Sequence, residues 1–185
     1  MQSETNASDG TVPSETVPAE TAPVEYGDAA LFLGMNSADE DVRRACKAFF
    51  VDRLDGRLVM SLEQVGRCDD IIWGFSRELQ DAYYPFMDNL HTVMDIRRLG
   101  YDEGDIQRAG DPELPRTLPM HERLLLGMVL GRQGLLRTAS PRLTATTGLA
   151  LPVAAAADGP EARFPEPLER LYQQSLALRV PAESL

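Results

Sequence analysis

The chain has 185 residues, 43% of them hydrophobic and 25% charged. That composition excludes collagen, a disulfide scaffold and wholesale disorder, and it fits one domain with tails. Eighteen basic against 29 acidic side chains give a formal net charge of −11. Such a chain has no global field toward nucleic acid or an anionic membrane, so work on nucleic acid requires a local basic face or bound cations.

Residues 1–24 are rich in Ser, Thr, Pro, Ala and Glu and carry no basic residue. They cannot bury enough apolar area to offset chain entropy, and a disordered acidic tail is expected there. The tail lacks the basic and apolar regions of a secretory signal. The domain is expected over 25–155, with 156–185 appended as a loop and a C-terminal helix. The continuous apolar run AALFLGM, 29–35, lies between Gly27-Asp28 and Asn36-Ser37. It predicts a strand buried on both faces. Ser37-Ala-Asp-Glu40 reads as a capping box. Behind it, Val42, Ala45, Cys46, Phe49, Phe50 and Leu54 recur at helical spacing.

Asp55-Gly56 makes a turn, and 58–60 is a second strand. Ser61 caps the next helix, which carries Val65, Cys68, Ile71 and Ile72. A long helical stretch over 77–94 contains Pro85, which is expected to kink or split it. A third strand over 96–99 and a short acidic helix over 102–109 follow. Pro119 opens a helix that runs to about Arg132. The segment 124–131 within it is the longest strongly apolar stretch, far below the ~20 residues a membrane span needs. A fourth strand is predicted over 135–138, a fifth over 148–153 and a terminal helix over 167–178; residues from Val180 on are expected to fray. Cys46 and Cys68 have neither zinc nor redox spacing and read as buried free thiols of a cytoplasmic protein.

Short apolar strands alternating with amphipathic helices predict a three-layer α/β domain around a mostly parallel sheet. In such a sheet the site lies outside the carboxyl ends of the strands, at a topological switch point. Asp28, Glu63, Asp69, Asp70 and Glu122 are the acids expected there, and Ser140 follows the fourth strand. Grouped carboxylates with only two histidines, His91 and His121, suit Mg²⁺ or Mn²⁺ and not zinc. Such ions serve phosphoryl chemistry. No Gly-rich phosphate loop and no Gly-x-Ser-x-Gly elbow is present.

Taken in order, these motifs resemble the PIN-domain superfamily of metal-dependent ribonucleases, over about 26–153. GDAALFLGM matches the family's opening apolar strand with an aspartate, here Asp28. RLVMSLEQVGRCDDIIW matches a strand ending in Ser or Thr, here Ser61, and a helix with a second acid. IRRLGYDEGDIQRA is similar to the strand and short helix that follow a helical arm. ERLLLGMVLGRQGLLRTASPRL matches a third acid, here Glu122, on a helix running into a strand and turn. The EQVGRCDD segment is also similar to one in an actinobacterial group of PIN-like proteins.

The resemblance implies a ribonuclease acting on single-stranded RNA. Asp28, Asp69 and Glu122 would be catalytic and hold Mg²⁺ or Mn²⁺, with Glu63 in reserve for Asp69 and Asp70 competing with it. Ser140 would orient a water or an outer-shell ligand, or simply cap the helix at Pro141. The sequence also departs from the family. Counted from Ser61, the second acid falls near Arg67 or Cys68. Glu122 stands where aspartate is usual, and Ser140 where aspartate or asparagine is usual.

Those departures support an alternative: a catalytically inactive PIN-like scaffold that binds a protein partner, or a second copy of itself, as a regulatory module. Tyr83, Tyr84 and Phe86 would then form the contact surface; packed inside, they would cover the sheet beside Trp73. Arg132, Arg137 and Arg142 form a candidate phosphate-facing edge. His121 and His91 read as exposed helix residues. No contact with a membrane is expected.

Overall fold

The computed structural model describes residues 23–146, 148–153 and 159–185. Of the expected tail, 1–22 lie outside the described residues. Strand β1 is Glu25–Gly27, β2 Arg57–Ser61, β3 Asp95–Leu99, β4 Leu135–Thr138 and β5 Leu151–Pro152. The helices are α1 (Ala29–Gly34), α2 (Glu40–Asp52), α3 (Leu62–Trp73), α4 (Arg77–Val93), α5 (Glu103–Ala109), α6 (Met120–Gly131), α7 (Pro141–Thr144) and α8 (Leu168–Ser175).

The five strands form one parallel sheet in the order β3-β2-β1-β4-β5. Tyr26 of β1 is in register with Val59 of β2 and with Leu136 of β4. The strand order turns around between β1 and β4, which puts the switch point there. Side chains alternate across the sheet. Leu58 and Met60 face one core, with Phe32, Phe50, Ile72, Phe86 and Tyr172. Val59 faces the other, with Tyr26, Leu125, Val129 and Leu136. Helices therefore cover both faces, and the α/β expectation with a parallel sheet holds.

Several local expectations are corrected. The run 29–35 is not a strand: β1 lies just before it, and 29–34 form α1, buried at every residue. A short run that is apolar on all sides fits a buried helix as well as a buried strand. Asp28 decides the outcome, because its side chain accepts from the Leu31 amide and caps the helix. Asp39, not Ser37, caps α2, accepting from Asp41 and Val42; Ser37 Oγ accepts from Asp39 N. Helix α4 runs unbroken through Pro85. One lost intrahelical bond is outweighed by the burial of Tyr83, Phe86, Met87 and Leu90 on its inner face.

Residues after 179 do not fray. Val180 is fully buried and pairs with Ser37 through a parallel bridge. Its amide donates to Asn36 O at 2.8 Å, and Ala38 N donates to Val180 O at 2.7 Å.

Helix α8 closes a charged layer over α2 that the amphipathic pattern does not reveal. Lys47 Nζ sits 2.7 Å from Glu161 and 2.9 Å from Glu169, and lies 4.4 Å from the centre of the Tyr172 ring. Arg43 pairs with Glu40 and Glu161 and donates to Tyr172 Oη at 2.6 Å. Tyr172 Oη in turn donates to Met35 O at 3.0 Å. Both cations are buried. No helix of the described residues is long and apolar enough to cross a membrane.

Candidate functional site

A polar cleft lies at the carboxyl ends of β1 and β4, where the switch point places it. Asp28, Gln64, Arg67, His121, Glu122, Ser140 and Arg142 line it, joined by Glu183 and Ser184 of the C-terminal segment. Asp28 follows β1 directly and is buried. One of its oxygens accepts from Leu31 N at 2.8 Å and the other from the Thr138 hydroxyl. Thr138 Oγ1 accepts from Ser140 N at 2.8 Å, so the turn after β4 is tied to the turn after β1. Ala29 N donates to Gln64 Oε1 at 2.9 Å and fixes α3 against the cleft. Burial pushes the Asp28 carboxyl up to about 6; the bonds from Thr138 and Leu31 pull it back, and the charge of Glu122 raises it further.

Glu122 sits in the first turn of α6, where the helix dipole favours an anion. It is buried, and Oε1 accepts from Arg142 Nε at 2.8 Å. Its Oε2 is buried without a hydrogen-bond partner among the described residues, and so is Ser140 Oγ. Ser140 thus occupies the cap position of α7 without using its hydroxyl as a cap. His121 Nε2 lies 3.9 Å from Glu122 Oε1. Desolvation, then the charge of Arg67, lowers the His121 pKa and keeps the ring neutral at neutral pH. His121 is half-buried in the cleft wall, contrary to the expectation of an exposed residue.

The structure brings Asp28, Glu122 and Ser140 together and leaves the remaining candidate acids elsewhere. Asp69 accepts from Tyr84 Oη at 3.1 Å and lines a separate cavity between α3 and α4. Glu63 accepts from Tyr101 Oη at 2.8 Å, and that hydroxyl also bonds Ser61 Oγ at 3.0 Å. Asp70 is exposed. Among the described residues, no three His, Cys, Asp or Glu side chains are grouped to hold one metal ion. Of Arg67 and Cys68, near which the count from Ser61 puts a second acid, Arg67 lines the cleft and Cys68 the α3–α4 cavity. Gln64, Arg67 and Glu183 are the cleft residues that sequence reasoning missed, the last because the chain from Val180 on is expected to fray. The spacings of Gln64 and Arg67 from the Ser61 cap, three and six, set both on one face of α3 and were the available signal.

The three arginines do not form one edge. Arg142 borders the cleft, Arg132 pairs with Asp102 and Asp105, and Arg137 bonds Glu25 at 2.7 Å beside the start of the strands. Nor do the aromatics of α4 form a contact surface: Tyr83 and Phe86 are core residues, and Tyr84 is half-buried. Trp73 does not join them inside, being 66% exposed. His91 is half-buried, with its ring 5.6 Å from that of Phe32. Both cysteines are buried, and burial raises both thiols well above their ordinary range.

No curated protein matches the chain. One family model matches residues 18–185, described as a family of unknown function (DUF6190).

Proposed function

The chain belongs to this family of unknown function, and we propose that it is a PIN-like domain that works by binding and not by RNA cleavage. The observation that carries the reading is Arg67. A guanidinium lines the cleft close to where the PIN resemblance implies a second acid, near Arg67 or Cys68, while Asp69 faces a different cavity. A hard-cation site depends on several oxygen ligands and their negative charge. Here three side-chain carboxylates, Asp28, Glu122 and the exposed Glu183, share the cleft with two arginines; Arg142 already bonds one of them, and among the described residues no three acids are grouped to hold one ion. This donor set does not fit a two-metal clamp. In this reading the regulatory module contacts its protein partner through surfaces other than the buried aromatics of α4.

A second reading, a ribonuclease working with a single cation, is favoured by the two orphaned buried atoms, Glu122 Oε2 and Ser140 Oγ. Such atoms call for a water or a ligand. Mg²⁺ is commonly held by one or two carboxylates and several waters, which Asp28 and Glu122 could supply.

The test is Mn²⁺-dependent cleavage of a single-stranded RNA panel by the wild-type chain and by an Asp28→Asn/Glu122→Gln double variant. The binding reading expects no cleavage that depends on these two acids. Wild-type cleavage that vanishes in the double variant overturns it in favour of the single-cation enzyme. Calorimetry adds a positive readout. Exchanging a cation for an acid in Arg67→Asp is expected to raise Mn²⁺ affinity at least about tenfold. Unchanged affinity would remove Arg67 as the cause.

A further inference from the structure

The cavity that holds Asp69 is independent of the carboxyl-end cleft. It lies between α3, α4 and strands β2 and β3. Its floor is apolar, made by Phe32, Met60 and Met87, all buried. Its polar groups are few, as in small-molecule sites. Asp69 and Asp88 stand at the wall, and among the described residues neither is salt-bridged. Among the described residues, the one side-chain bond to Asp69 comes from the Tyr84 hydroxyl.

A second observation points to a ligand. Tyr83 lines the cavity and is 2% exposed, yet its hydroxyl has no hydrogen-bond partner among the described residues. The Tyr83 hydroxyl feels the charge of Asp69, which lines the same cavity. A buried hydroxyl left unpaired is costly unless something bonds it. The cations nearby do not neutralise the acids. Arg98 is turned to His91 Nδ1, and His91 itself is held neutral, its pKa lowered to about 4 by burial and by Arg98.

We propose that this cavity binds a primary arylalkylammonium group, whose three N–H donors go to Asp69, Asp88 and the Tyr83 hydroxyl while its ring lies on Phe32, Met60 and Met87. An ammonium offers three donors and no acceptor, which matches two carboxylates and a hydroxyl oxygen. Thioethers and an aromatic ring favour an aromatic body over an aliphatic one. A ligand with a carboxylate in place of the ammonium would face two acids, and a neutral one would leave them unmatched.

The experiment titrates phenethylamine into the full chain and follows backbone amide shifts, with phenethyl alcohol as the neutral isostere. Saturable shifts at Cys68, Tyr84 and His91 are expected with the amine, and binding at least about tenfold weaker with the alcohol. Asp69→Asn keeps an acceptor for Tyr84 and is expected to weaken amine binding about tenfold. Asp88→Asn, on the exposed side of α4, is expected to weaken it about threefold. Tyr83→Phe is expected to weaken binding while raising thermal stability, since it deletes an unpaired hydroxyl. No saturable shift, equal binding of the alcohol, or undiminished binding in both aspartate variants would overturn the proposal.

Discussion

Two regions of this molecule bury charge, and they do so in opposite ways. Beneath α8, Arg43 and Lys47 are surrounded by Glu40, Glu161, Glu169 and the Tyr172 hydroxyl, so that each buried cation meets carboxylates. In the carboxyl-end cleft, among the described residues, Asp28 is buried with only neutral donors on its oxygens, and Glu122 keeps one oxygen unpaired. The first arrangement completes itself inside the chain and holds the C-terminal segment to the domain. The second is incomplete without something from outside. Matched buried charge marks structure, and unmatched buried charge marks a place kept ready for a ligand.

The two regions should answer pH with opposite signs. Glu161 is held down to about 2, chiefly by its hydrogen bond from Arg43. Its contribution is present in full above the ordinary value of 4.5 and is lost as the pH falls toward 2. Asp28 keeps its proton to about pH 6 in the folded chain against 3.8 in the unfolded one. Between those values the folded state binds more protons. Stability therefore falls as the pH rises through that window, and the whole cost is present above about 6.

Breaking the matched region should have the largest effect. Lys47→Ala leaves Glu169 buried without its cation, and urea unfolding should show a loss of about 3–5 kcal/mol. A loss below about 1 kcal/mol would mean that water reaches the layer and the pairing is not structural.

Asp28→Asn should act the other way. The amide can still accept from Leu31 and can donate to Thr138, and it carries no charge to bury. The variant should be more stable than the wild type at pH 7.5 by up to about 3 kcal/mol, with the advantage fading below pH 4. Equal destabilisation at every pH would show that the carboxylate is structural after all.

The smallest effect belongs to Ser140→Ala. Deleting a buried hydroxyl without a partner should raise stability by about 1 kcal/mol. A comparable fall would reveal a bound water that Ser140 holds.

The sequence was readable where one physical signal dominated. The periodicity of Val42, Ala45, Cys46, Phe49 and Phe50 located α2, and Ser61 marked the start of α3, whose Gln64 amide it caps. The readings failed where two signals were equal. A run apolar at every position has no period to tell strand from helix, so 29–35 predicts a strand where the chain forms α1, with β1 just before it. Arg43 and Lys47 look like solvated helix residues until α8, more than a hundred positions later, covers them.

The site divides the same way. Asp28, Glu122 and Ser140 were found because each stands at the junction of a strand or a helix, and the chain's own punctuation marks such junctions. Asp69 and Arg67 lie two positions apart on α3, and a helix turns about 100° per residue. That rotation sends one toward the cleft and the other toward the α3–α4 cavity. The order of elements, the burial of their apolar faces and the switch-point location are local or topological consequences of the sequence. Which charges meet, which stay unpaired and which cavity each acid enters depend on distances between elements far apart in the chain, and only tertiary packing sets those distances.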